Sequence, residues 1–423
     1  MGVLFMYIKR LIEERLEKVS KMFHVILVTG PRQVGKSTLL KNKYKQFEYI
    51  TFDDPLLLST TIQEPGLFFK NHEAPIIIDE IQYAPTLLAY IKMASDNSEE
   101  YGNFFLTGSQ QFHLMKNVSE SLAGRVSILE LQGLSAREIY NINFNKHFIP
   151  NEDYIIPRKK NIKDYKNIWN TIHKGSYPAM YKTEIDWTEF YSSYIRTYLE
   201  RDINDLINIK DQILFMNFLT ALAARTGEML NYENIASEVG VSSPTIKNWI
   251  SVLETSGIIY LLQPYTPSVL KRAIKTPKLY FRDTGLVCYL TKWMTPETLK
   301  VGAKNGNIFE TYVISEIIKS YTNEGKDYRG SIFYYRGKDK TRKLSDGSLI
   351  EIDSEIDLII EENNILHPVE IKMSANPKQE MANAFNVLDE IKSKKRGTGA
   401  IICLYDKLLY LKEDLVVLPI EYI

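Results

Sequence analysis

The chain has 423 residues, which is long for a single hydrophobic core, since domains commonly run to about 100–150 residues. Hydrophobic residues make up 44% of it and charged residues 25%, which excludes a disordered or fibrous protein. The 52 basic and 52 acidic residues balance, so contact with nucleic acid would need a local basic patch. Cys288 and Cys403 lie far apart, which excludes a disulfide scaffold or zinc ribbon. No apolar run approaches the roughly 18 residues of a membrane span, so we expect a cytoplasmic protein with no membrane partner.

Five short apolar runs in the first third predict the strands of a parallel sheet. Stretches of helical character separate them, which is typical of a repeating strand–helix–strand chain. The runs are HVILVTG (24–30), FEYITFDD (47–54), APIIIDE (74–80), NFFLTGS (103–109) and RVSILELQG (125–133).

A glycine-rich loop directly after the first run carries the strongest motif of the chain. It fits GxxxxGK[ST], follows an apolar strand and precedes a predicted helix, as a phosphate-binding loop does. Its backbone N–H groups would surround phosphates at a helix N-terminus, where the helix dipole favours anions. Lys36 would reach the β and γ phosphates, and the Ser37 hydroxyl would bind Mg²⁺. We expect ATP and Mg²⁺ to be bound by Gly30, Pro31, Arg32, Gln33, Val34, Gly35, Lys36, Ser37 and Thr38.

The third apolar run ends in Asp79 and Glu80, a carboxylate pair that matches a Walker B motif. Ligands of open parallel sheets bind beyond the carboxyl ends of the strands, so the pair is expected beside the phosphate loop. Asp79 would hold magnesium through water, and Glu80 would polarise the attacking water as a catalytic residue. Without the phosphate loop, the same residues would read as an ordinary solvated strand end.

The fourth run ends in Leu106-Thr107-Gly108-Ser109, which offers hydroxyl groups that could sense the γ-phosphate. A strand placed after the Asp-Glu strand is typical of additional-strand ATPases and not of small GTPases. Together, GPRQVGKST, IIIDEIQ, FLTGSQ and LAGRV resemble prokaryotic AAA-type ATPases that carry a winged helix and a C-terminal domain of unknown function. The resemblance covers nearly the whole chain.

This resemblance implies further nucleotide-sensing residues. Thr107 or Ser109 would act as sensor 1, and Arg125 would act like an arginine finger. Arg125 neutralises transition-state charge only if it reaches the γ-phosphate, from the same or a neighbouring subunit, and is otherwise a surface arginine. The segment Lys174-Gly-Ser-Tyr-Pro178 corresponds to a Gly-Tyr-Pro signature of the family. Arg196 and Arg201 are candidates for a second sensor, with a solvated amphipathic helix as the alternative.

A helix–turn–helix pattern is predicted in the middle of the chain. Tyr232–Val239 forms the first helix, Gly240-Val241 the turn and Ser242–Thr255 the second helix, with Ser242 or Ser243 as its N-cap. The second helix has an apolar stripe at i, i+3, i+4, i+7, formed by Ile246, Trp249, Ile250 and Leu253. Its outer face and the following wing carry residues suited to DNA, namely Thr245, Lys247, Asn248, Ser251, Lys271, Arg272, Lys275 and Lys278. A protein-contact module is the alternative.

Acidic residues and a lysine in the last third match restriction-endonuclease-like nucleases. Glu370 and Lys372 form Glu-x-Lys in one apolar run, where strand alternation puts both side chains on one face. If Asn363-Asn364 is a two-residue turn, Asp357 faces Glu370 with Cβ atoms about 5 Å apart. Opposed carboxylates repel unless a cation lies between them, so Asp357 and Glu370 are expected to bind Mg²⁺.

Catalytic roles are predicted from the same arrangement. Lys372 would stabilise charge at a scissile phosphate beside the two carboxylates, and Glu310, on a predicted helix, would assist as a ligand or base. The family resemblance extends to this block through EIDLII and VEIKMS. Pro368 could insert a bulge that shifts the register by one and separates the carboxylates. The alternative is a structural remnant with salt-bridged strands.

The sequence therefore predicts an α/β multidomain protein with a P-loop additional-strand, AAA-like ATPase core. The predicted units are the core at 1–145, a helical lid at 146–210, a winged helix at 211–280 and a mixed α/β nuclease-like domain at 281–423. We expect a DNA-associated ATPase whose nucleotide state controls the winged helix and a Mg²⁺-dependent nuclease domain. The alternative is a slow nucleotide switch that regulates or recruits proteins and carries an inactive nuclease-like domain. Further copies of the chain or another protein are the other expected partners.

Overall fold

A five-stranded parallel sheet forms the first part of the structure. The structure is a computed structural model, and it describes residues 7–108, 118, 121–182, 184–197, 212–266, 276–343 and 349–423. Its strands are β1 (Val25–Thr29), β2 (Glu48–Thr51), β3 (Ile76–Asp79), β4 (Phe104–Thr107) and β5 (Val126–Glu130). The spatial order β2-β3-β4-β1-β5 places β4 between the strand that precedes the phosphate loop and the strand that ends at Asp79. All pairings are parallel, so the predicted sheet and its inserted fourth strand are confirmed.

Helices cover both faces of this sheet. They are α1 (Glu13–Ser20), α2 (Lys36–Lys43), α3 (Pro55–Gln63), α4 (Pro65–Asn71) and α5 (Leu87–Asp96). Because both faces are covered, β1, β3 and β4 are buried along their whole length and consist almost only of apolar residues. The polar groups of these strands therefore concentrate at the carboxyl ends, where Asp79 and Thr107 lie.

Helices dominate the middle of the chain. They are α6 (Ala136–Ile139), α7 (Glu152–Lys159), α8 (Ile168–Lys174), α9 (Ala179–Lys182), α10 (Trp187–Tyr194), α11 (Gln212–Ala223), α12 (Tyr232–Val239) and α13 (Ser243–Thr255). The predicted helix pair is confirmed as α12 and α13. The Ser242 side chain caps α13 by accepting a hydrogen bond from Thr245 N, and the predicted apolar stripe is buried.

A small antiparallel sheet accompanies these helices. It consists of β6 (Glu228–Met229), β7 (Ile259–Leu262) and β8 (Lys278–Phe281) in the order β6-β8-β7. The strand β7 follows α13 directly, and β8 pairs with it from Ile259 opposite Phe281 to Leu262 opposite Lys278. The hairpin thus places Lys278 at the amino end of the central strand.

The last third contains a seven-stranded mixed sheet and a long helix. Its elements are α14 (Thr284–Leu290), α15 (Pro296–Lys300), α16 (Asn305–Glu324), β9 (Ile332–Lys343), β10 (Leu349–Glu362), β11 (Ile365–Lys372), β12 (Lys395–Arg396), β13 (Gly399–Cys403), β14 (Leu409–Lys412) and β15 (Leu415–Pro419). The order is β14-β15-β13-β11-β10-β9, with β12 beside β11. Short 3₁₀ helices at Ile81–Tyr83, Gln379–Glu390 and Ile420–Tyr422 complete the described elements.

One hydrophobic core connects the predicted units. It runs from Ile12, just before α1, through Trp169 and Phe218 in the middle of the chain to Tyr312 on α16 and Tyr422. The four predicted units therefore pack into shared apolar contacts, and their proposed boundaries stay a prediction. Within the described ranges, no helix combines the length and apolar character needed to cross a membrane.

Candidate functional site

The phosphate loop joins β1 to α2 through a backbone that requires glycine. Gly30 has φ 141° and Gly35 has φ 93°, both in the left-handed half of conformational space. A Cβ on Gly30 would lie 2.1 Å from the carbonyl oxygen of Leu131, closer than any real contact. The two glycines therefore permit the loop to pass close to β5 and to turn directly into the N-terminus of α2.

Lys36 lies inside the curve of this loop. Its Nζ donates to the carbonyl oxygens of Gly30 and Pro31, 3.0 Å away in each case, and the side chain is buried. These acceptors carry no formal charge, so phosphate oxygens would bind the ammonium more strongly than they do. Val34, by contrast, points its side chain into the core, and its carbonyl accepts a bond of 2.9 Å from Arg10.

Asp79 accepts hydrogen bonds from three hydroxyl groups at the end of β3. The Ser37 hydroxyl donates to both carboxylate oxygens at 2.8 and 2.9 Å, and the Thr107 hydroxyl donates to Oδ1. The third donor is the Tyr49 hydroxyl on β2, 2.6 Å from Oδ2. Sequence reasoning missed Tyr49, because a tyrosine in a strand carries no signal of its partner. The predicted proximity of Ser37, Asp79 and Thr107 is observed.

Glu80 follows Asp79 with an unusual backbone conformation. Its φ of 56° and ψ of 47° are left-handed, which is uncommon for a residue with a Cβ and concentrates at functional sites. Its amide donates to the Thr107 hydroxyl at 3.2 Å, and its carboxylate accepts from the side chain of Gln82. The sharp turn after β3 thus leaves the Glu80 carboxylate facing the phosphate loop.

A cleft of about 790 Å³ opens beside these groups. It is lined by Arg32, Gln33, Gly35, Lys36, Ser37, Thr38, Glu80, Pro178, Ala179, Lys182, Arg196 and Thr197. Arg196, a predicted sensor, therefore lies at the cleft, whereas Ser109 and Arg201 fall outside the described residues. Lys182 was not predicted. Burial, followed by the nearby charge of Arg10, lowers the pKa of Lys182 below its ordinary value.

The wall of the cleft formed by Pro178 and Ala179 is held in place by Asp283. Its Oδ2 accepts hydrogen bonds from the amide and hydroxyl of Ser176 at 2.6 and 2.8 Å. Its Oδ1 accepts from the Tyr191 hydroxyl and the Leu286 amide, each at 2.7 Å. One carboxylate at the start of α14 thereby fixes the segment that carries Pro178 into the cleft.

Arg125 lies at the other edge of the sheet. Its carbonyl accepts a bond from the amide of Val25, the first residue of β1, whereas the phosphate loop follows the last residue of that strand. A strand of this length separates the two by on the order of 15 Å. The guanidinium instead pairs with Asp96, with Nη2 3.1 Å from Oδ2. A role within the same molecule is therefore not supported, and a role toward a neighbouring subunit stays a prediction.

The hairpin of β10 and β11 has the predicted register. Asn363 and Asn364 have φ values of 51° and 64°, as a two-residue turn of type I′ requires. Glu362 pairs with Ile365, and the ladder continues to Leu358 opposite Val369, so Asp357 falls opposite Glu370. Pro368 sits within this ladder without shifting it. The irregularity lies instead between β10 and β9, next to Asp357, where Ile356 and Ile359 bracket a register shift.

Asp357, Glu370 and Lys372 meet as predicted. Lys372 Nζ lies 2.5 Å from Glu370 Oε1 and 3.5 Å from Asp357 Oδ2, and the Ile371 amide donates to Asp357 at 2.8 Å. Glu370 is 7% exposed, and its Oε2 has no hydrogen-bond partner among the described residues. A buried carboxylate oxygen without a donor is costly and rare, which makes this oxygen a candidate ligand atom for a cation.

Glu310 joins these residues from α16. Its Oε1 accepts a bond of 2.5 Å from the Tyr280 hydroxyl and lies 3.5 Å from Lys278 Nζ. Lys278 also pairs with Glu355 at 2.5 Å and is 4% exposed. The prediction that Lys278 belongs to a DNA-contacting wing is therefore wrong, because the nearby carboxylates of Glu310, Glu355 and Asp357 draw its ammonium inward. We call Lys278, Glu310, Glu355, Asp357, Glu370 and Lys372 the acidic cluster.

Burial and mutual repulsion keep protons on this cluster. Burial, and then the charge of Asp357, raises the pKa of Glu310 to about 7 and that of Glu370 to about 8. The pKa of Lys372 is raised by Asp357 and Glu370 despite its burial. Oxygen ligands of this kind suit Mg²⁺. In the part of the chain that the structure describes, however, no three acidic, His or Cys side chains converge as a ready-made metal site.

Three family models match parts of the chain. Residues 22–140 match an AAA domain, residues 165–297 a domain of unknown function (DUF8612), and residues 350–423 another domain of unknown function (DUF4143). The first match spans the five-stranded sheet and the phosphate loop. The other two contain, respectively, the helix pair and the β10–β11 hairpin, and their descriptions give no activity.

Relatives match over most of the chain. An uncharacterized protein of Mycobacterium tuberculosis is 25% identical over 366 residues, which cover 86% of this chain and 73% of that protein. An uncharacterized protein of Methanocaldococcus jannaschii is 24% identical over 331 residues, covering 74% of this chain and 69% of that protein.

Among solved structures, a Walker-type ATPase of Pyrococcus abyssi aligns with a TM-score of 0.36 and 16% identity, over 66% of this chain and 94% of that one. At that TM-score the likeness carries no argument. The match of residues 22–140, with the geometry of the phosphate loop, supports an AAA-type P-loop ATPase.

Proposed function

We propose that the protein binds ATP with Mg²⁺ in the cleft and hydrolyses the bond to the γ-phosphate. The observation that carries the proposal is the convergence of Lys36, Ser37 and Glu80 on one open cleft, with Asp79 hydrogen-bonded to Ser37 directly behind it. The donors around Asp79 fit this chemistry because they are neutral hydroxyl groups. When magnesium and its water bind beside Asp79, a hydroxyl that gives up its bond to the carboxylate leaves no buried charge without a partner.

Each residue of the cleft has a distinct task in this proposal. Magnesium, when bound, would neutralise charge on the β and γ phosphates, with Ser37 and Asp79 as its protein contacts. Lys36 binds the same phosphates, and the loop amides orient them toward α2. Glu80 would accept a hydrogen bond from the attacking water and align it, while Thr107 and Tyr49 hold Asp79 in position. Arg196, which also lines the cleft, would complete the charge balance.

Glu80→Gln tests hydrolysis directly. The amide keeps the size of the side chain and loses the basic carboxylate, so the variant should bind ATP with near wild-type affinity and lose about 100-fold or more in turnover. Phosphate release and nucleotide binding are both measured. Glu99→Gln, on an exposed residue away from the cleft, is the control and should leave both unchanged. Equal turnover of Glu80→Gln and wild type would reject the role of Glu80.

DNA is the partner that we propose for α13. Thr245, Lys247, Asn248 and Ser251 lie on its outer side, while the apolar stripe faces the core. These side chains can reach phosphates or base edges when a second helix enters a major groove. Lys247 Nζ lies 5.4 Å from the ring of Tyr232, which holds this cation on the exposed side of the helix pair.

Duplex binding at several salt concentrations tests this partner. Affinity should fall log-linearly with salt, and Lys247→Ala with Asn248→Ala should change sequence preference. Replacing Lys271, Arg272 and Lys275, which lie outside the described residues, should weaken all duplexes alike and flatten the salt slope. Lys300→Ala, on α15, serves as a control lysine. No binding to any duplex at low salt would favour a protein partner and a nucleotide-switch function.

A second candidate function is Mg²⁺-dependent cleavage of DNA at the acidic cluster. The observation that favours it is the buried, unpartnered Oε2 of Glu370 opposite Asp357, with Lys372 on the same strand face. A divalent cation held by Asp357 and Glu370 would polarise a phosphodiester. Lys372 would then stabilise the added charge as a water oxygen bonds to phosphorus and the bond to the leaving oxygen breaks, while Glu310 receives a proton.

Lys372→Ala tests cleavage. Nicking of plasmid DNA should require Mg²⁺ or Mn²⁺, should fail with the larger Ca²⁺, and should disappear in the variant while ATP hydrolysis continues. Lys378→Ala, an exposed lysine beyond the end of β11, is the matched control. Cleavage that survives Lys372→Ala would assign it to a contaminant. Absence of cleavage under every condition would leave the cluster without nuclease activity.

A further inference from the structure

Lys278 is a buried lysine that neither the ATPase chemistry nor the cleavage chemistry uses. It belongs to β8, in the small sheet that follows α13, yet its ammonium reaches the acidic cluster. Its Nζ lies 2.5 Å from Glu355 Oε1 and 3.5 Å from Glu310 Oε1. With 4% exposure, it has no room to contact a bound duplex directly.

The charges of the acidic cluster do not balance. Four carboxylates, those of Glu310, Glu355, Asp357 and Glu370, share two ammonium groups, those of Lys278 and Lys372. When all are ionised, two negative charges are left, the amount that one divalent cation carries. Glu370 is only 7% exposed, and its Oε2 has no hydrogen-bond partner among the described residues. This oxygen gives independent evidence for a ligand at the cluster.

We propose that Lys278 is a built-in counter-ion that competes with a divalent cation for Glu310 and so sets the metal affinity of the acidic cluster. The proposal rests on the metal site of the second candidate function. Its physical basis is Coulombic, because an ammonium 3.5 Å from a carboxylate opposes a second cation at that carboxylate. In this structure the carboxylates turn toward Lys278 and Lys372 instead of toward one another. This arrangement also explains why no three ligand side chains come together as a metal site among the described residues.

The position of Lys278 links metal affinity to the rest of the molecule. Lys278 pairs across the hairpin with Leu262 and with Met229 of β6, so it moves with the small sheet beside α13. The same strand leads directly into Asp283, which holds Ser176 and the wall of the nucleotide cleft. A shift of β8 that withdraws the ammonium from Glu310 would therefore raise the affinity of the cluster for a cation.

Mn²⁺ binding tests the proposal. Free and bound Mn²⁺ are measured by electron paramagnetic resonance in full-length proteins that all carry Asp79→Asn, which removes the carboxylate proposed to hold the metal in the nucleotide cleft. Lys278→Met should bind Mn²⁺ about tenfold more tightly than the parent, because one competing charge is gone. Lys278→Arg, which keeps the charge, should resemble the parent. Lys278→Met with Glu355→Gln restores the net charge and should return the affinity toward the parent value.

A stability measurement protects the test against misfolding. Lys278→Met removes a buried counter-charge, so its melting temperature in EDTA should fall and should rise more than that of the parent when Mn²⁺ is added. Lys278→Gln provides a second neutral variant that can still donate to Glu355. Lys304→Met is the matched control, since Lys304 pairs with the exposed Glu228 at 2.5 Å outside the cluster, and should change neither quantity.

The outcomes distinguish a failure of the metal site from a failure of the role proposed for Lys278. Equal Mn²⁺ affinity in the parent, Lys278→Met and Lys278→Gln would support the metal site and overturn the role of Lys278. Weaker Mn²⁺ binding in both neutral variants would also overturn the competing role of Lys278, because it would show that the lysine favours metal binding. Absence of Mn²⁺ binding in every protein would reject the metal site and, with it, the proposal.

Discussion

The nucleotide cleft and the acidic cluster both place carboxylates at or near the end of a buried strand, but they neutralise them differently. Asp79 is held by three neutral hydroxyl groups, those of Ser37, Tyr49 and Thr107, beside an open cleft of about 790 Å³. Asp357 and Glu370 are buried and depend on the ammonium of Lys372. The carboxylate of the nucleotide cleft is therefore stabilised by hydrogen bonds from neutral groups, and the carboxylates of the acidic cluster are stabilised by an ion pair.

This difference teaches how each site can respond to a ligand. A hydroxyl that loses its carboxylate acceptor can turn to water or a metal at a modest net cost of about 1 kcal/mol. A buried ion pair that loses one partner leaves a charge in a low-dielectric interior, which costs about 3–5 kcal/mol. The cleft is therefore suited to repeated exchange of a charged ligand, whereas the cluster is suited to holding one charge state until something displaces a lysine.

The largest expected effect concerns Lys36. Lys36→Ala should weaken ATP binding by about 100-fold or more, because the phosphates lose their buried cation and keep only the backbone amides. A fluorescent ATP analogue measures the affinity. Lys43→Ala is the matched control, since Lys43 lies on the same helix and pairs with Glu17 at 2.9 Å on the exposed side. Affinities of Lys36→Ala and wild type within threefold of each other would contradict the role of Lys36 in binding the phosphates.

The next effect is a dependence of stability on pH that belongs to the acidic cluster. The pKa values of Glu310 and Glu370 are raised in the folded protein, to about 7 and about 8, from an ordinary value of 4.5. The folded state then binds more protons than the unfolded state between these values, so the free energy of unfolding should fall as pH rises from about 5 to about 8. We expect a loss of at least about 1.4 kcal/mol, the equivalent of one pKa unit, in urea titrations with EDTA.

Glu370→Gln identifies the source of this pH dependence. The amide imitates the protonated carboxyl, so the variant should lose part of the slope, and Mn²⁺ at pH 8 should stabilise wild type but not the variant. Glu361→Gln is the control, because Glu361 lies on the neighbouring strand β10 and pairs with Lys394 at 2.6 Å outside the cluster. An unchanged slope in Glu370→Gln would assign the pH dependence to other groups.

The smallest effect concerns Tyr49. Tyr49→Phe removes one of three hydroxyl donors to Asp79, so turnover should fall about fivefold, the equivalent of one net hydrogen bond. Because Tyr49 positions Asp79 and does not face the cleft, the KM for ATP should hold and the Mg²⁺ concentration for half-maximal turnover should rise. Tyr90→Phe, on the exposed side of α5, is the control. An unchanged Mg²⁺ dependence would reduce Tyr49 to a packing residue.

Several features of this protein were determined by the sequence alone because their causes are local. The phosphate loop needs glycines within one turn, and the stripe of α13 needs only helical spacing over Ile246–Leu253. The opposition of Asp357 and Glu370 is more surprising for a contact 13 positions apart. It follows from the local turn at Asn363 and Asn364, since alternation along two strands carries that register outward.

Other features were decided only by tertiary structure, because they join residues that no local rule connects. Tyr49 reaches Asp79 across neighbouring strands, and Asp283 fixes the wall of a cleft more than 100 positions away in sequence. Arg125 lies at the amino edge of the sheet, away from the phosphate loop. Lys278 looked like part of a basic wing in the sequence. Its burial follows from its pairs with Glu310 and Glu355, which exist only once α16, β8 and β10 have packed together.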